Sequence, residues 1–347
     1  MRSGAGPMAT VRAPERPGPA AAHDAMSAHH ATSAHDGNRV DTTRARQPDE
    51  TGFIERDGVR VFWERYGDGS PTLLLMPTWS LLHSRHWKLQ IPYLARLFRV
   101  VTFDGRGNGR SDRPTESDAY ADTEFVADAI AVLEATGTDR AVVAGLSMGA
   151  GYSLRLAAEH PDRVIGAVFI GASLPILDRP ADEPEVQVDP SFAGPQSATG
   201  EWRNYNADYW RRDFPGFAAW FVGEKIFSEP HSTKPIEDGI GWTLQTDAET
   251  LIATEYAPYL WPPAEWGPRE PGQGRAVPFA RHVRCPALVI HGDDDRISSI
   301  AVGERLAAEL GAPLITIAGG GHSPLARWPV VVNRAIRDFV RGLEPTS

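Results

Sequence analysis

The stretch AVVAGLSMGAGYSLRLAAEHP, residues 141–161, places a lone serine, Ser147, between Gly145 and Gly149, where an apolar run gives way to a helical pattern. AVVAG reads as a strand buried on both faces, and MGAGYSLRLAAEH as a helix stopped by Pro161. A strand that turns directly into a helix brings two backbones close together, so glycines at 145 and 149 remove side chains that would clash there. The serine between them is expected in a strained, exposed turn above the C-terminal edge of a sheet, where open parallel sheets bind ligands. The five-residue motif alone is short enough to arise by chance, so the rest of the chain has to say whether Ser147 is a nucleophile or a loop hydroxyl.

Working outward, FIERDGVRVFWERYG (53–67) predicts two alternating strands joined across Asp57 and Gly58. PTLLLMP (71–77) and FRVVTFD (98–104) follow as short apolar runs bounded by turn residues, then DTEFVADAIAVLEATG (122–137) as a helix ending at Gly137. Beyond the serine come a strand in VIGAVFIG (164–171), a strand in PALVIHG (286–292), a helix in ISSIAVGERLAAELG (297–311), a strand in APLITIAGGG (312–321) and a helix in WPVVVNRAIRDFVRGL (328–343). Strands alternating with helices predict a doubly wound, mostly parallel α/β sheet. The rhythm breaks between residues 177 and 282. That segment is dense in proline and aromatics, among them Trp202, Tyr205, Trp210, Trp220, Phe221 and Trp242, and reads as a helical insertion covering the sheet. The expected organisation is therefore an extension over 1–50, a core over 51–176 and 283–347, and a cap over 177–282.

Residues 1–50 are rich in Ala, Pro, Gly, His and Arg with few large apolar side chains, so they are expected to stay disordered. No secretory h-region is present, although arginines ahead of Asp24 leave a faint likeness to a targeting peptide; extra sequence upstream of a start at Met26 is an equal reading. The net charge of −10 gives no basic footprint for nucleic acid and no polybasic membrane anchor, and no apolar run reaches the length of a membrane span. Cys285 is the only cysteine, which excludes an internal disulfide. A small-molecule partner and a cytoplasmic location are the expectations; the oligomeric state is left open. No metal or nucleotide motif is visible, and GRGNGRS (105–111) lacks dinucleotide-binding spacing, so no cofactor is expected.

A neutral serine is a poor nucleophile and requires a base, and the base requires a group to orient it. The candidate base is His322 in IAGGGHSPLARWP, on a glycine-rich loop after a predicted strand. The candidate acid is Asp295 in LVIHGDDDRISS, where a carboxylate can accept the Nδ1–H of a histidine; with Asp293 and Asp294 adjacent, the residues alone leave the choice open. His291 reads as packed.

The order Ser147, Asp295, His322 resembles that of the α/β-hydrolase superfamily, over roughly residues 53–343. GLSMG is similar to that family's nucleophile turn, HGDDD to its acid loop and GGGH to its histidine loop; the acid three positions after the loop glycine is Asp295. FDGRGNGRSDRP (103–114) is similar to another family turn, whose Asp104 and Arg106 read as structural. One site departs. After TLLL the family shows His-Gly, whereas this chain has MPTWS (76–80); Pro77 has no N–H, so the oxyanion donors are expected to be Met148 with Thr78, or with Trp79 if the loop is shifted. The resemblance implies a capped serine esterase acting on a carboxylic ester or lactone, with Trp210 and Trp220 in an apolar or aromatic substrate pocket. A serine nucleophile excludes the haloalkane dehalogenase and epoxide hydrolase chemistries of this superfamily, which need aspartate. Carbon–carbon bond hydrolysis of a β-diketone or ring-cleavage product is the alternative. Perhydrolase or amidase activity, a ligand receptor, and a cyclase or lyase on the same scaffold are lesser ones.

Overall fold

The computed structural model describes residues 9–11, 45–180, 190–193 and 200–343. The strands are β1 (Ala9–Val11), β2 (Glu50–Arg56), β3 (Val59–Tyr66), β4 (Thr72–Leu75), β5 (Arg99–Phe103), β6 (Ala141–Leu146), β7 (Val164–Ile170), β8 (Ala287–Gly292) and β9 (Leu314–Ile317). They form one sheet in the order β1-β9-β8-β7-β6-β4-β5-β3-β2. Only β3 runs antiparallel to its neighbours, β2 and β5. The β2–β3 hairpin turns at Asp57 (φ 51°) and Gly58 (φ 77°), two left-handed residues in succession, as a tight hairpin matched to strand twist requires.

Alternation along the central strands divides the core between two layers. Val143 and Leu74 face a cluster shared with the helices Asp122–Ala135 and Met148–Glu159, whereas Val142, Ala144, Leu73 and Leu75 face the opposite one. Every residue of β6 is buried, which is why its sequence is a continuous apolar run rather than an alternating one. The second layer is closed by the helix Pro329–Arg341. Its Val332, Ile336 and Val340 recur every four residues on one face and are fully buried, each worth about 1.5–3 kcal/mol of transfer free energy.

Two sequence boundaries shift. Residues 1–8 and 12–44 of the expected disordered extension lie outside the described residues, but Ala9–Val11 pairs in parallel with Ile315–Ile317 of β9, using backbone groups that an edge strand leaves open. The body also begins before residue 51, because the Asp49 carboxylate accepts the Gly67 N–H at 2.6 Å and the Asp49 N–H reaches the Arg65 carbonyl. At the other end of the expected cap, the helix Val277–His282 packs with the sheet layer through Val277, Phe279 and Ala280. Proline and aromatic content marks the insertion but does not say which of its helices return to the sheet.

Asp104 and Arg106 hold the loops around the sheet edge. Asp104 is fully buried; Oδ1 accepts the Ser84 N–H and O–H at 3.1 and 2.6 Å, and Oδ2 accepts the Arg110 N–H at 2.9 Å. Arg106, 2 % exposed, donates Nε and Nη2 to both oxygens of Asp128 at 2.7 and 2.9 Å. Burial alone would raise the Asp104 pKa, but the nearby His83 and the hydrogen bonds from Ser84 and Arg110 outweigh it and hold the carboxyl below 3.8. A carboxyl held lower in the folded chain than in the unfolded one gives its full stabilisation above the unfolded value and loses it as pH falls through the folded one. Asp104→Asn is therefore expected to cost about 1–3 kcal/mol near neutral pH by leaving a buried donor unmatched. Urea melts at neutral and acid pH check this: the deficit shrinks on acidification, and one that grows contradicts the assignment.

Candidate active site

Ser147 stands between β6 and the helix Met148–Glu159 with φ 58° and ψ −121°, a conformation that side chains rarely adopt. The flanking glycines are required by contact. A Cβ on Gly145 would strike the Gly149 carbonyl, and one on Gly149 would strike the Pro77 carbonyl of the loop after β4. That second approach lays Thr78 beside the serine, and Thr78 Oγ1 fixes it there by donating to the Leu146 carbonyl at 2.9 Å.

His322 reaches this turn from the loop after β9. Its Nε2 lies 2.8 Å from Ser147 Oγ, and its Nδ1 lies 2.8 Å from Asp295 Oδ2. With Nδ1 facing a carboxylate, the proton belongs on that nitrogen and Nε2 is left to accept the serine O–H. Asp295 is the one member of the acid loop with a buried carboxylate; Asp293 and Asp294 are exposed, Asp293 accepting the Gly319 N–H. Asp295 Oδ1 takes the N–H groups of Ile297 and Ser298 at 2.8 and 3.0 Å, and Oδ2 also meets His291 Nε2 at 3.3 Å. Burial would push this carboxyl up, yet His322, His291 and the Ser298 N–H overcome it, and the group is held well below the ordinary carboxylate range.

The cap shapes what lies above the serine. A cavity of about 240 Å³ opens over Ser147 and His322, walled by Trp79, Leu82, Trp202, Tyr205, Phe221 and Ile226. Thr78 and Met148 line its floor. Trp79 also anchors the cap: its indole N–H donates to Thr254 Oγ1 at 2.7 Å. Trp210 and Trp220, expected in the pocket, instead stand behind its wall. Trp210 is fully buried against Phe217, its ring centroid 4.4 Å away, with its N–H on the Asn204 carbonyl; Trp220 packs 5.9 Å from Trp202. The phase of short cap helices decides which aromatics meet the cavity, and composition does not carry that phase. Phe221 and Ile226 reach it from a widened, π-helical turn, Phe221–Ile226, that continues the helix Phe214–Trp220.

Four further residues were not singled out for the site from sequence. His291, read as packed, is fully buried and also contacts the acid, with Nε2 on the Ser298 carbonyl at 2.9 Å. Glu229, from the cap, accepts the Gly321 N–H at 2.8 Å and so braces the histidine loop; burial pushes its pKa up. Glu255 and Tyr205 meet in the cavity wall, Tyr205 Oη donating to Glu255 Oε1 at 2.8 Å. The one signal for Glu255 was its place as the last residue of the helix Ala248–Glu255, where a negative charge opposes the helix dipole. Among the described residues no group of three or more His, Cys, Asp or Glu is arranged to hold a metal ion, and no helix is long and apolar enough to cross a membrane.

A family model described as alpha/beta hydrolase fold matches residues 71–326. The chain is 26 % identical over 295 residues to a bifunctional esterase/perhydrolase of Acinetobacter calcoaceticus, covering 82 % of this chain and 98 % of that one. It is 27 % identical over 281 residues to a non-heme haloperoxidase of Rhodococcus erythropolis, covering 73 % and 85 %. In structure it is similar to the enol-lactonase from Burkholderia xenovorans LB400, with a TM-score of 0.66 at 20 % identity, over 84 % of this chain and all of the other.

Proposed function

This chain belongs to the alpha/beta hydrolase fold family, and from that premise we propose that it is a serine hydrolase cleaving carboxylic esters or lactones of small, apolar or aromatic molecules. The observation that carries the reading is the unbroken line from Ser147 Oγ to His322 Nε2 and from His322 Nδ1 to Asp295 Oδ2, each link 2.8 Å. His322 takes the serine proton as Oγ attacks the carbonyl carbon, and Asp295 stabilises the imidazolium that forms. The oxyanion is met by the backbone N–H groups of Met148, at the N-terminus of its helix, and Thr78, whose Cα lies over the nucleophile turn. Trp79, the other candidate, would act through its backbone N–H, which its indole bond to Thr254 leaves untouched. His322 then protonates the leaving alcohol, and a water activated by the same nitrogen releases the acid from the acyl-enzyme. The esterase activity in the name of the Acinetobacter relative supports this reading.

Selectivity resides in the aromatic wall, because the reacting groups stand on the sheet. Each methylene that fits such a wall is worth about 1–3 kcal/mol, so kcat/KM rises along an aryl ester series until the cavity is full and then falls. Trp202→Ala and Phe221→Ala shift that optimum toward longer acyl chains while changing acetate hydrolysis much less. Steady-state assays on the series check both. An equal loss on acetate would mean that these rings hold the catalytic loops in place rather than select substrate. If no ester or lactone is cleaved while a vinylogous diketone is, in a Ser147-dependent reaction, the carbon–carbon hydrolase reading replaces this one.

A further inference from the structure

The cavity over Ser147 is mostly apolar, and beyond Thr78, Ser147 and His322 its polar lining residues are Ser173, Tyr205 and Glu255, of which only Glu255 carries a carboxyl. That group is poorly provided for. Oε1 takes the Tyr205 O–H, and among the described residues Oε2 has no hydrogen-bond partner and no Lys, Arg or His pairs with the group. The phenols within electrostatic reach, Tyr205 in the cap and Tyr152 on the helix after Ser147, both have pKa values pushed far above 10 and carry no charge near neutrality. Burial raises the Glu255 pKa to about 7, the Tyr205 hydrogen bond only partly opposing it. Glu255 is half-buried and open on its cavity side, and its seat at the negative end of a helix disfavours the charge where no cation stands beside it.

Four rings line the same cavity, one of them, Tyr205, in contact with Glu255. Trp79 and Phe221 are 5.6 Å apart between centroids, Tyr205 and Phe221 5.8 Å, Trp202 and Tyr205 5.8 Å, and Trp79 and Tyr205 6.3 Å. The cluster already holds one cation: Lys225 Nζ lies 4.7 Å from the Trp202 ring centroid and is paired with Glu201. Electron-rich rings and a carboxyl with one open oxygen, lining one cavity, supply the groups that bind an organic cation.

We propose that Glu255 and the rings of Trp79, Trp202, Tyr205 and Phe221 form an ammonium-binding subsite, so that this hydrolase selects esters whose acyl or alcohol portion carries a cationic nitrogen. The substrate class rests on the ester-hydrolase reading; the binding subsite does not. Its test therefore uses binding without turnover, in the full chain carrying Ser147→Ala, at about pH 8, where Glu255 is ionised. Choline and dimethylbutanol, the isostere with carbon in place of the quaternary nitrogen, are titrated against tryptophan fluorescence. Choline is expected to bind at least about tenfold more tightly, a difference of about 1.4 kcal/mol, and Glu255→Gln in the same background to reduce the preference to within about threefold. Dimethylbutanol binding as tightly as choline, a preference that survives Glu255→Gln, or no choline binding up to about 100 mM would each overturn the subsite. Should Glu255→Gln fail to fold, the choline to dimethylbutanol ratio decides alone. Failure of that ratio with neutral esters still hydrolysed by the wild type removes the subsite and leaves the hydrolase. A sound ratio with no ester of either kind cleaved does the reverse.

Discussion

Ser147→Ala lowers kcat for ester hydrolysis by on the order of a millionfold, while the protein folds and melts as the wild type does. Among the described residues the serine hydroxyl makes one hydrogen bond, to His322 Nε2, so its removal leaves no other buried donor or acceptor there stranded beyond the imidazole that faces the cavity. The strain of φ 58° at this position belongs to the backbone and to Cβ, both of which alanine keeps; stability is expected to change by less than about 1 kcal/mol. Function has no such tolerance. Without Oγ no acyl-enzyme forms, and the oxyanion donors can assist only direct attack by water, which is slower by many orders of magnitude. Single-turnover assays with an aryl acetate, paired with a thermal melt, check the result. Retention of more than about a tenth of wild-type kcat means that Ser147 is not the nucleophile.

Much of the sheet was legible because parallel strands buried on both faces cannot alternate, and the runs in β4, β5, β6 and β7 therefore stand out against polar turns. The Asp57-Gly58 turn was legible because few residue pairs accept two left-handed conformations in a row. The loops that carry Ser147, His322 and the acid were legible for a related reason, since each follows a readable strand; among Asp293, Asp294 and Asp295 the residues alone left the choice open, and the likeness to the family's acid loop pointed to Asp295. What the sequence concealed depends on side-chain direction across long separations. Trp210 and Trp220 look no different in composition from Trp202 and Phe221, yet the first two back the wall that the others form. Glu229 reaches the histidine loop from 92 residues away, and the Glu255–Tyr205 contact spans 50; neither pairing leaves a local pattern. The strand Ala9–Val11 was invisible because its partner is an open backbone edge, which any short extended segment can occupy.

Asp295→Asn is expected to lower kcat by about ten-thousandfold with KM little changed. The reason lies in the four donors that converge on this carboxylate. His322 Nδ1 and His291 Nε2 meet Oδ2, while the backbone N–H groups of Ile297 and Ser298 meet Oδ1. A carboxylate accepts on both sides, whereas an amide accepts on one and donates on the other. If the asparagine oxygen faces the two backbone N–H groups, its NH2 faces His322, and the imidazole must turn its lone pair to Nδ1 and its proton to Nε2, the tautomer that cannot accept from Ser147. If the amide is flipped, the NH2 confronts two backbone donors and the acid loop must move. Either way the alignment at Ser147 Oγ is lost, and so is the negative charge that stabilises the imidazolium. Substrate contacts none of these atoms before reaction, which is why KM is spared. Asp293→Asn is the control: that carboxylate is exposed and accepts the Gly319 N–H, a bond the amide oxygen can keep, so its kcat should stay within about threefold of wild type. Steady-state kinetics on both variants with one aryl ester decides the matter, and a larger loss at Asp293 than at Asp295 would move the acid to the neighbouring register.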